Sequence, residues 1–174
     1  MKLAELFEGV TVSVSDKQLT TLDFDGQIID GDFDCEDNQL TNFKGGPIEV
    51  EGNFHAGNNK LTSLDGVASK IKGWFNIYDN KLTSLQGIHK LFKGGYIKEG
   101  IDLSGNKIES HLLGLLLIPE LEVIHYDGDR VLNQTMKNCE KAIQIINKHL
   151  EGDKDVIECQ QELIAAGLKA YAQL

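Results

Sequence analysis

Residues 31–51 read GDFDCEDNQLTNFKGGPIEVE, residues 52–72 read GNFHAGNNKLTSLDGVASKIK, and residues 73–87 read GWFNIYDNKLTSLQG. Written as three rows, these segments align with one fixed period, the step from Gly31 to Gly52 and from Gly52 to Gly73, and Gly, Phe, Asn and Leu recur in fixed columns. A fixed period in the low twenties is typical of a solenoid, in which each repeat forms one coil stacked on the previous one. Since a single coil cannot bury its own apolar face, we expect the hydrophobic core to exist only in the stack.

Each coil is predicted to contain a short strand followed by a turn. Two apolar residues at alternate positions, such as Phe54 and Ala56, point to the inward side of a strand. Asn59 follows where the chain must turn, and Leu61 and Leu64 then return to the core. We expect the asparagine amide to bond backbone groups of an adjacent coil, because a turn inside a stack has no water to satisfy its N–H and C=O groups.

This strand, asparagine and leucine pattern resembles the leucine-rich repeat, L-x-x-L-x-L-x-x-N-x-L, over residues 10–126. It is similar to the small, short-period leucine-rich repeat proteins of bacteria and their phages. One position departs from the pattern, because Asp30, Glu51 and Lys72 stand where the leucine before the strand is expected. With so short a coil there is little room for a helix, so the return side is predicted to be extended chain or a 3₁₀ turn. A parallel β-helix is the rival fold.

The fold class predicted from these patterns is an α/β solenoid with a parallel β-sheet and a C-terminal helical hairpin. Residues 1–9 are predicted to form a capping helix, residues 10–126 the solenoid of about five or six coils, and residues 127–174 the hairpin. In the fourth coil Tyr96 keeps the period of Phe75, which places an insertion of five residues within 93–100. Strands are predicted near residues 12–14, 33–35, 54–56, 75–77, 101–103 and 122–126.

Beyond Tyr126 the apolar period becomes helical. The first helix is predicted to start at an Asp129 N-cap and to stop at Gly152. Its apolar seam is Leu132, Met136, Cys139, Ile143, Ile146 and Leu150. The second helix is predicted from about residue 153, with the apolar residues Val156, Ile157, Leu163, Ile164, Leu168 and Tyr171. We expect the hairpin to seal the open end of the solenoid; the alternative is a homodimer or partner surface.

The chain is strongly acidic, with 27 Asp and Glu against 17 Lys and Arg, a formal net charge of −10. Its single arginine is Arg130. Such a composition disfavours direct binding of nucleic acid and favours a partner protein with a basic surface. The alternative explanation of the charge is solubility alone.

Three cysteines without a spacing motif indicate free thiols and a reducing compartment. A disulfide between Cys139 and Cys159 is the less favoured alternative. The acidic, amphipathic N-terminal residues lack the apolar core of a signal peptide, and no apolar run reaches the length of a membrane span. The expected location is therefore the cytoplasm of a bacterial or phage-infected host cell, without membrane association.

The candidate site is the outward face of the strands, which forms the concave side in a leucine-rich solenoid. The repeat pattern requires no particular residue type there, so the types found are informative about function. They are acidic and polar, and they include the only tryptophan, a residue type enriched at interface hot spots. Trp74 could equally pack over a neighbouring coil. The predicted partner-binding residues are Asp32, Asp34, Glu36, His55, Trp74, Asn76 and Tyr78.

Three functions are compatible with these features. The favoured one is a non-enzymatic protein-interaction module without a cofactor. The second is a phage-type inhibitor that occludes a basic nucleic-acid-binding surface of a host complex. The third is an enzyme with a cryptic site, which has little support because strand alternation points Cys35 inward and His55 outward. Asp34 and His55 could bind a metal only weakly, since no third ligand is evident.

Overall fold

The computed structural model describes residues 9–126, 134–151 and 154–174. Its strands are β1 (Val12–Ser13), β2 (Ile28–Ile29), β3 (Phe33–Asp34), β4 (Glu49–Val50), β5 (Phe54–His55), β6 (Lys70–Ile71), β7 (Trp74–Asn76), β8 (Tyr96–Ile97), β9 (Gly100–Asp102) and β10 (Val123–His125). Its helices are α1 (Ile88–Leu91), α2 (Gln134–Leu150) and α3 (Val156–Ala165), and a 3₁₀ helix spans Leu113–Leu117.

The strands form two parallel sheets that wind into a solenoid of about five turns. A six-stranded sheet has the order β1-β3-β5-β7-β9-β10, and a four-stranded sheet has the order β2-β4-β6-β8. Phe33 pairs with Phe54, which pairs with Phe75, so the sheet register repeats the sequence period. The predicted α/β solenoid with parallel strands and a C-terminal helical hairpin is confirmed.

The four-stranded sheet lies on the return side of the coils. Each of its first three strands places one apolar residue inward, at Ile29, Val50 and Ile71, all of them buried. The return side is therefore extended chain, one of the two predicted forms, but it is also hydrogen-bonded between coils, which was not predicted. Among the described residues, a 3₁₀ helix is assigned in the last coil, at Leu113–Leu117.

The position of the five-residue insertion was predicted wrongly. Tyr96 does not continue the Phe75 column; it pairs with Lys70 in the four-stranded sheet, at a longer step than the regular one from Glu49 to Lys70. Ile101 takes the place after Phe75 in the six-stranded sheet, and the step there is lengthened equally. The extra residues therefore precede Tyr96, in the segment that contains helix α1, and the regular spacing of Tyr96 from Phe75 is a coincidence.

The core is a ladder of phenylalanines from successive coils. Neighbouring rings make edge-to-face or tilted contacts, with centroid distances of 5.1 Å between Phe33 and Phe54 and 5.4 Å between Phe54 and Phe75. Phe43 packs against the same stack from the opposite side of the coil, 5.1 Å from Phe54. Such aromatic pairs contribute more than their buried area alone.

A second ladder, of buried asparagines, holds the turns together. In Asn59 the side-chain oxygen accepts the Leu40 N–H at 3.0 Å, while the side-chain nitrogen donates to the carbonyls of Cys35, Ala56 and Gly57 at 3.0–3.3 Å. One amide thus satisfies backbone groups of its own coil and of the preceding coil. The other members of the asparagine ladder, Asn38, Asn80 and Asn106, make the equivalent bonds.

The C-terminal helices pack on the last coil. The predicted seam of α2 is confirmed from Met136 to Leu150, and its residues are buried. The predicted apolar set of α3 is partly wrong, because Ile157 is 68% and Ile164 49% exposed. The buried side of this helix carries Cys159 and Leu163. Each exposed isoleucine directly follows a packed residue in the sequence, so it is rotated by about 100° around the helix axis, away from the core. The N-cap of α3 is Asp155, whose carboxylate accepts the N–H groups of residues 157 and 158.

Asn147 of α2 closes the open edge of the six-stranded sheet. Its side chain accepts the Ile124 N–H at 2.8 Å and donates to the Ile124 C=O at 2.7 Å, as another strand would. In the last coil, the N–H groups of His111 and Leu113 donate to carbonyls at the C-terminal end of the chain. These contacts support the sealing role predicted for the hairpin.

Other predictions fall on residues outside the described ranges: the capping helix over residues 1–9, of which the structure describes only residue 9, the Asp129 N-cap and the Gly152 stop. Cys35, Cys139 and Cys159 are free and buried, so the alternative disulfide is absent. Across the described ranges, no helix has both the length and the apolar character needed to cross a membrane.

We predict that Asn59→Ala lowers the free energy of unfolding by roughly 1–3 kcal/mol, because it leaves the Leu40 N–H buried without a partner and removes one of the two amide donors to the Cys35 carbonyl. Urea unfolding followed by circular dichroism measures the change. Lys60→Ala is the control; this neighbouring side chain is exposed, so the change should stay within about 0.5 kcal/mol. Equal losses in the two variants would show that the ladder is not a stabilising feature.

Asn147→Ala should lower stability by about 2 kcal/mol or more, since both edge groups of Ile124 lose their partner. Gln144→Ala, an exposed position on the same helix, is the matched control. Hydrogen exchange provides the local readout: the Ile124 amide should lose protection in the first variant and keep it in the second. An Ile124 amide that stays protected in Asn147→Ala would contradict the edge-sealing role.

Candidate protein-interaction face

The outward side chains of the six-stranded sheet form one continuous surface, called the six-strand face below. Its residues are Thr11, Ser13, Ser15, Asp32, Asp34, Glu36, Asn53, His55, Gly57, Trp74, Asn76, Tyr78, Gly100, Asp102, Ser104, Val123 and His125. The seven predicted partner-binding residues all lie on it, and each is half-buried. The register makes Asp34, His55 and Asn76 direct neighbours on successive strands.

Asp34, His55, Asn76 and Asp102 form a central column of outward side chains on this face, and the column continues to His125 in the last coil. His125 pairs with Asp102 in the strand register, and its Nδ1 lies 3.2 Å from the Asp102 carboxylate. A strand was predicted here, but its pairing with the preceding strand was not, because the last coil has a different length from the others. The step from Asp102 to His125 is longer than the regular period and shorter than the step from Asn76 to Asp102.

Several acidic groups of the face also bind the backbone. The Asp32 carboxylate accepts the Asn53 N–H of the next coil at 2.7 Å, and Asn53 accepts the Trp74 N–H in the same way at 2.8 Å. Asp34 accepts the Glu36 N–H at 3.0 Å and the Ser13 hydroxyl at 2.9 Å. The expectation that the fold makes no demand on these positions was therefore wrong for Asp32 and Asp34.

Glu36, His55 and Tyr78 form a polar group that spans three coils. The Glu36 carboxylate lies close enough to the Tyr78 phenol to act on it, and the His55 Nδ1 lies 3.9 Å from the same carboxylate. The side-chain nitrogen of Asn76 lies 3.0 Å from the His55 Nδ1. Burial, followed by the charge of Glu36, raises the pKa of Tyr78 to about 12, so the phenol is neutral at physiological pH.

Both aromatic residues of the face lie over glycines of an adjacent coil. A Cβ at Gly57 would overlap three ring atoms of Tyr78, and one at Gly100 would stand 2.8–2.9 Å from the Trp74 ring. Trp74 thus packs over a neighbouring coil, as the alternative interpretation proposed, while its side chain stays half-exposed. Each ring therefore lies flat against the sheet and forms part of its surface. The Tyr78 ring is called the Tyr78 plate below.

Charge separates the six-strand face from the outer face of the four-stranded sheet. The six-strand face carries four carboxylates, Asp32, Asp34, Glu36 and Asp102, and no Lys or Arg. On the other sheet Glu49 pairs with Lys70 at 2.7 Å, and Glu51 pairs with Lys72. With Asp30 and Lys98 that face carries three acids and three bases, a sum of zero.

A further row of Asp and Asn residues, not predicted from the sequence, lies at the turn after the first four strands of the six-stranded sheet. Asp16, Asp37, Asn58 and Asp79 have left-handed backbones, with φ between 48° and 55°. Asp and Asn adopt this conformation more easily than other non-glycine residues. The signal in the sequence was the Asp or Asn immediately before the asparagine ladder position. Asp37 and Asp79 border the six-strand face and add to its negative potential.

The catalytic alternatives find little support in this geometry. Cys35 is fully buried while His55 is half-exposed on the outer side, and burial raises the pKa of the Cys35 thiol far above its usual range. In the part of the chain that the structure describes, no three His, Cys, Asp or Glu residues converge as a metal site would require.

A cavity of about 220 Å³ lies elsewhere, beside α1 where the inserted residues interrupt the regular stack. Two of its hydroxyls already accept backbone N–H groups, from Asp65 to Ser63 and from Gln86 to Ser84. Its volume is below the range typical of ligand pockets.

Comparison of the chain with protein families, with curated proteins and with solved structures finds no match in any of the three.

We predict that Gly100→Ala moves the Trp74 ring off the sheet, because the new Cβ would overlap the ring. Since Trp74 is the only tryptophan, its fluorescence reports the change: the emission should shift to longer wavelength and acrylamide quenching should increase. Gly57→Ala is the matched control, which displaces Tyr78 and should leave the tryptophan emission unaltered. An unchanged emission in Gly100→Ala would contradict the packing.

Proposed function

We propose that the chain is a non-enzymatic protein-interaction module that binds a partner with a basic surface through the six-strand face. One observation carries this proposal: four carboxylates and no Lys or Arg lie on this face, while the charges of the other sheet cancel. Solubility alone would not require such an asymmetry. The negative potential would accelerate association with a basic partner, and the half-exposed Trp74 and Tyr78 would supply apolar contact area.

We propose further that the solenoid is of the leucine-rich repeat type. The support is the asparagine ladder, in which Asn38, Asn59, Asn80 and Asn106 occupy the asparagine position of that repeat and bond adjacent coils. The hydrogen-bonded strands of the return side distinguish this chain from repeats that carry a helix there.

The partner is proposed to be a protein, with no direct contact to nucleic acid. Three free thiols support a cytoplasmic location. A homodimer through the C-terminal helices would have to use the exposed side of α3, at Ile157 and Ile164, because the apolar seam of α2 is buried.

Affinity capture from a bacterial lysate with two matched charge variants tests the proposal. Glu36→Lys with Asp102→Lys changes the six-strand face, and Asp25→Lys with Asp30→Lys changes exposed positions outside it. Each pair replaces two negative charges by two positive ones, so both variants have a net charge of −10 + 4 = −6. We expect the first pair to lose the captured partner or bind it at least about tenfold more weakly, and the second pair to retain it.

The rate of association measured against salt concentration gives an independent readout. For the parent it should fall as salt rises, and the face variant should lose most of this dependence. If both charge variants retain the partner equally, the six-strand face is not the binding surface. If the captured partner is a nucleic-acid-binding protein, the result would favour the second candidate function, inhibition by occlusion of that protein's nucleic-acid-binding surface.

A further inference from the structure

The Tyr78 ring is held as a fixed plate at the edge of the six-strand face. It lies across Gly57, where a Cβ would overlap its Cζ atom, so only glycine leaves room for it. The Glu36 carboxylate, in the coil beyond, lies near the Tyr78 hydroxyl. The ring lies over Gly57 on one side, and the residue is half-buried, so part of the ring stays accessible to a partner.

Negative charge surrounds the rim of this plate. The carboxylates of Glu36, Asp37 and Asp79 all lie close enough to act on the phenol. Asp37 and Asp79 are held in position by their left-handed turns. A flat aromatic surface with carboxylates around its edge has two features that one chemical group can use together.

That group is a guanidinium. It is planar and permanently charged, it stacks on an aromatic ring through cation–π attraction, and its N–H groups point outward in the plane toward carboxylates. A lysine ammonium would gain the charge attraction but could not stack. A neutral aromatic partner would cover the ring but would desolvate the carboxylates without compensation.

We propose that the Tyr78 plate docks an arginine side chain of the partner protein, stacked on the ring and hydrogen-bonded to the carboxylates at its rim. This inference rests on the proposed function and specifies which residue of the basic partner the face recognises. Charge complementarity selects an arginine-containing segment as the occupant.

The chain contains its own control for this geometry. Tyr96 is also half-buried on the outside of a sheet, but it lies close to Lys70 and Lys72 on the four-stranded sheet. The two tyrosines therefore offer the same side chain in different charge environments, and a guanidinium should be attracted to Tyr78 and not to Tyr96.

The probe is a capped peptide of alternating glycine and arginine, titrated into the isotope-labelled full chain and followed by NMR. Matched peptides carry lysine, or citrulline, the neutral isostere of arginine. We expect the arginine peptide to shift the amide signals of Gly57, Tyr78 and Asp79, and to leave that of Tyr96 in place. The lysine peptide should bind about two- to fivefold more weakly, and the citrulline peptide should cause no saturable shift.

Substitutions separate ring stacking from charge. Tyr78→Phe keeps the ring and should retain the affinity within about twofold, whereas Tyr78→Leu should weaken it by about two- to fivefold. Glu36→Gln should weaken it without unfolding the chain, and Tyr96→Leu should have no effect. NMR spectra of the free variants establish that each one is folded.

The inference is overturned if the citrulline or lysine peptide binds as tightly as the arginine peptide, if Tyr78→Leu binds like the parent, or if the shifts map elsewhere. Such a result is distinguishable from failure of the proposed function. Partner capture that still depends on Glu36 and Asp102 would leave the six-strand face as the binding surface and remove only the arginine-specific contact.

Discussion

The fold depends on the way that buried backbone groups are satisfied at the turn of each coil. Turns normally lie in water, but in a stack each one is covered by its neighbours, and an unpaired N–H or C=O there costs about 1–3 kcal/mol. A single asparagine per coil meets this demand, since its amide offers both an acceptor and donors in one plane. Because the Asn59 side chain bonds its own coil and the preceding coil, it also fixes the distance and register between them.

The surface inherits its order from this constraint. Once the asparagine ladder sets the register, equivalent residues of successive strands become direct neighbours, and small residues decide which side chains can cross between coils. Gly52 allows Asp32 to reach the next backbone, and Gly57 and Gly100 allow Tyr78 and Trp74 to lie flat. The proposed binding residues are thus held in place before any partner arrives, and this lowers the entropy lost on binding.

The sequence predicted what the strict period determines. The strands of the six-stranded sheet, the asparagine positions and the seam of α2 follow from spacing alone. The four-stranded sheet could not be predicted in the same way, because each strand has a single inward apolar residue and therefore no alternating pattern, and its outward positions are often charged, as in Glu49–Val50 and Lys70–Ile71. The fourth coil was aligned wrongly, because the aromatic residue Tyr96 lies by chance at the regular spacing from Phe75. The candidate site was likewise predictable as a face of the sheet. Two of its details were not: the hydrogen bond of Asp32 depends on a glycine of the next coil. The register of His125 depends on the length of an irregular coil.

The acidic residues of the six-strand face are arranged so that repulsion between them is limited while the face keeps its negative charge. Like charges on adjacent strands repel, yet Asp34 and Asp102 in the central column are separated by His55 and Asn76. Each of the two aspartates also has a close polar partner, Ser13 for one and His125 for the other. The face can therefore remain folded without lysines. Because none of the charge is cancelled by a Lys or Arg within the face, it remains available to attract a basic partner.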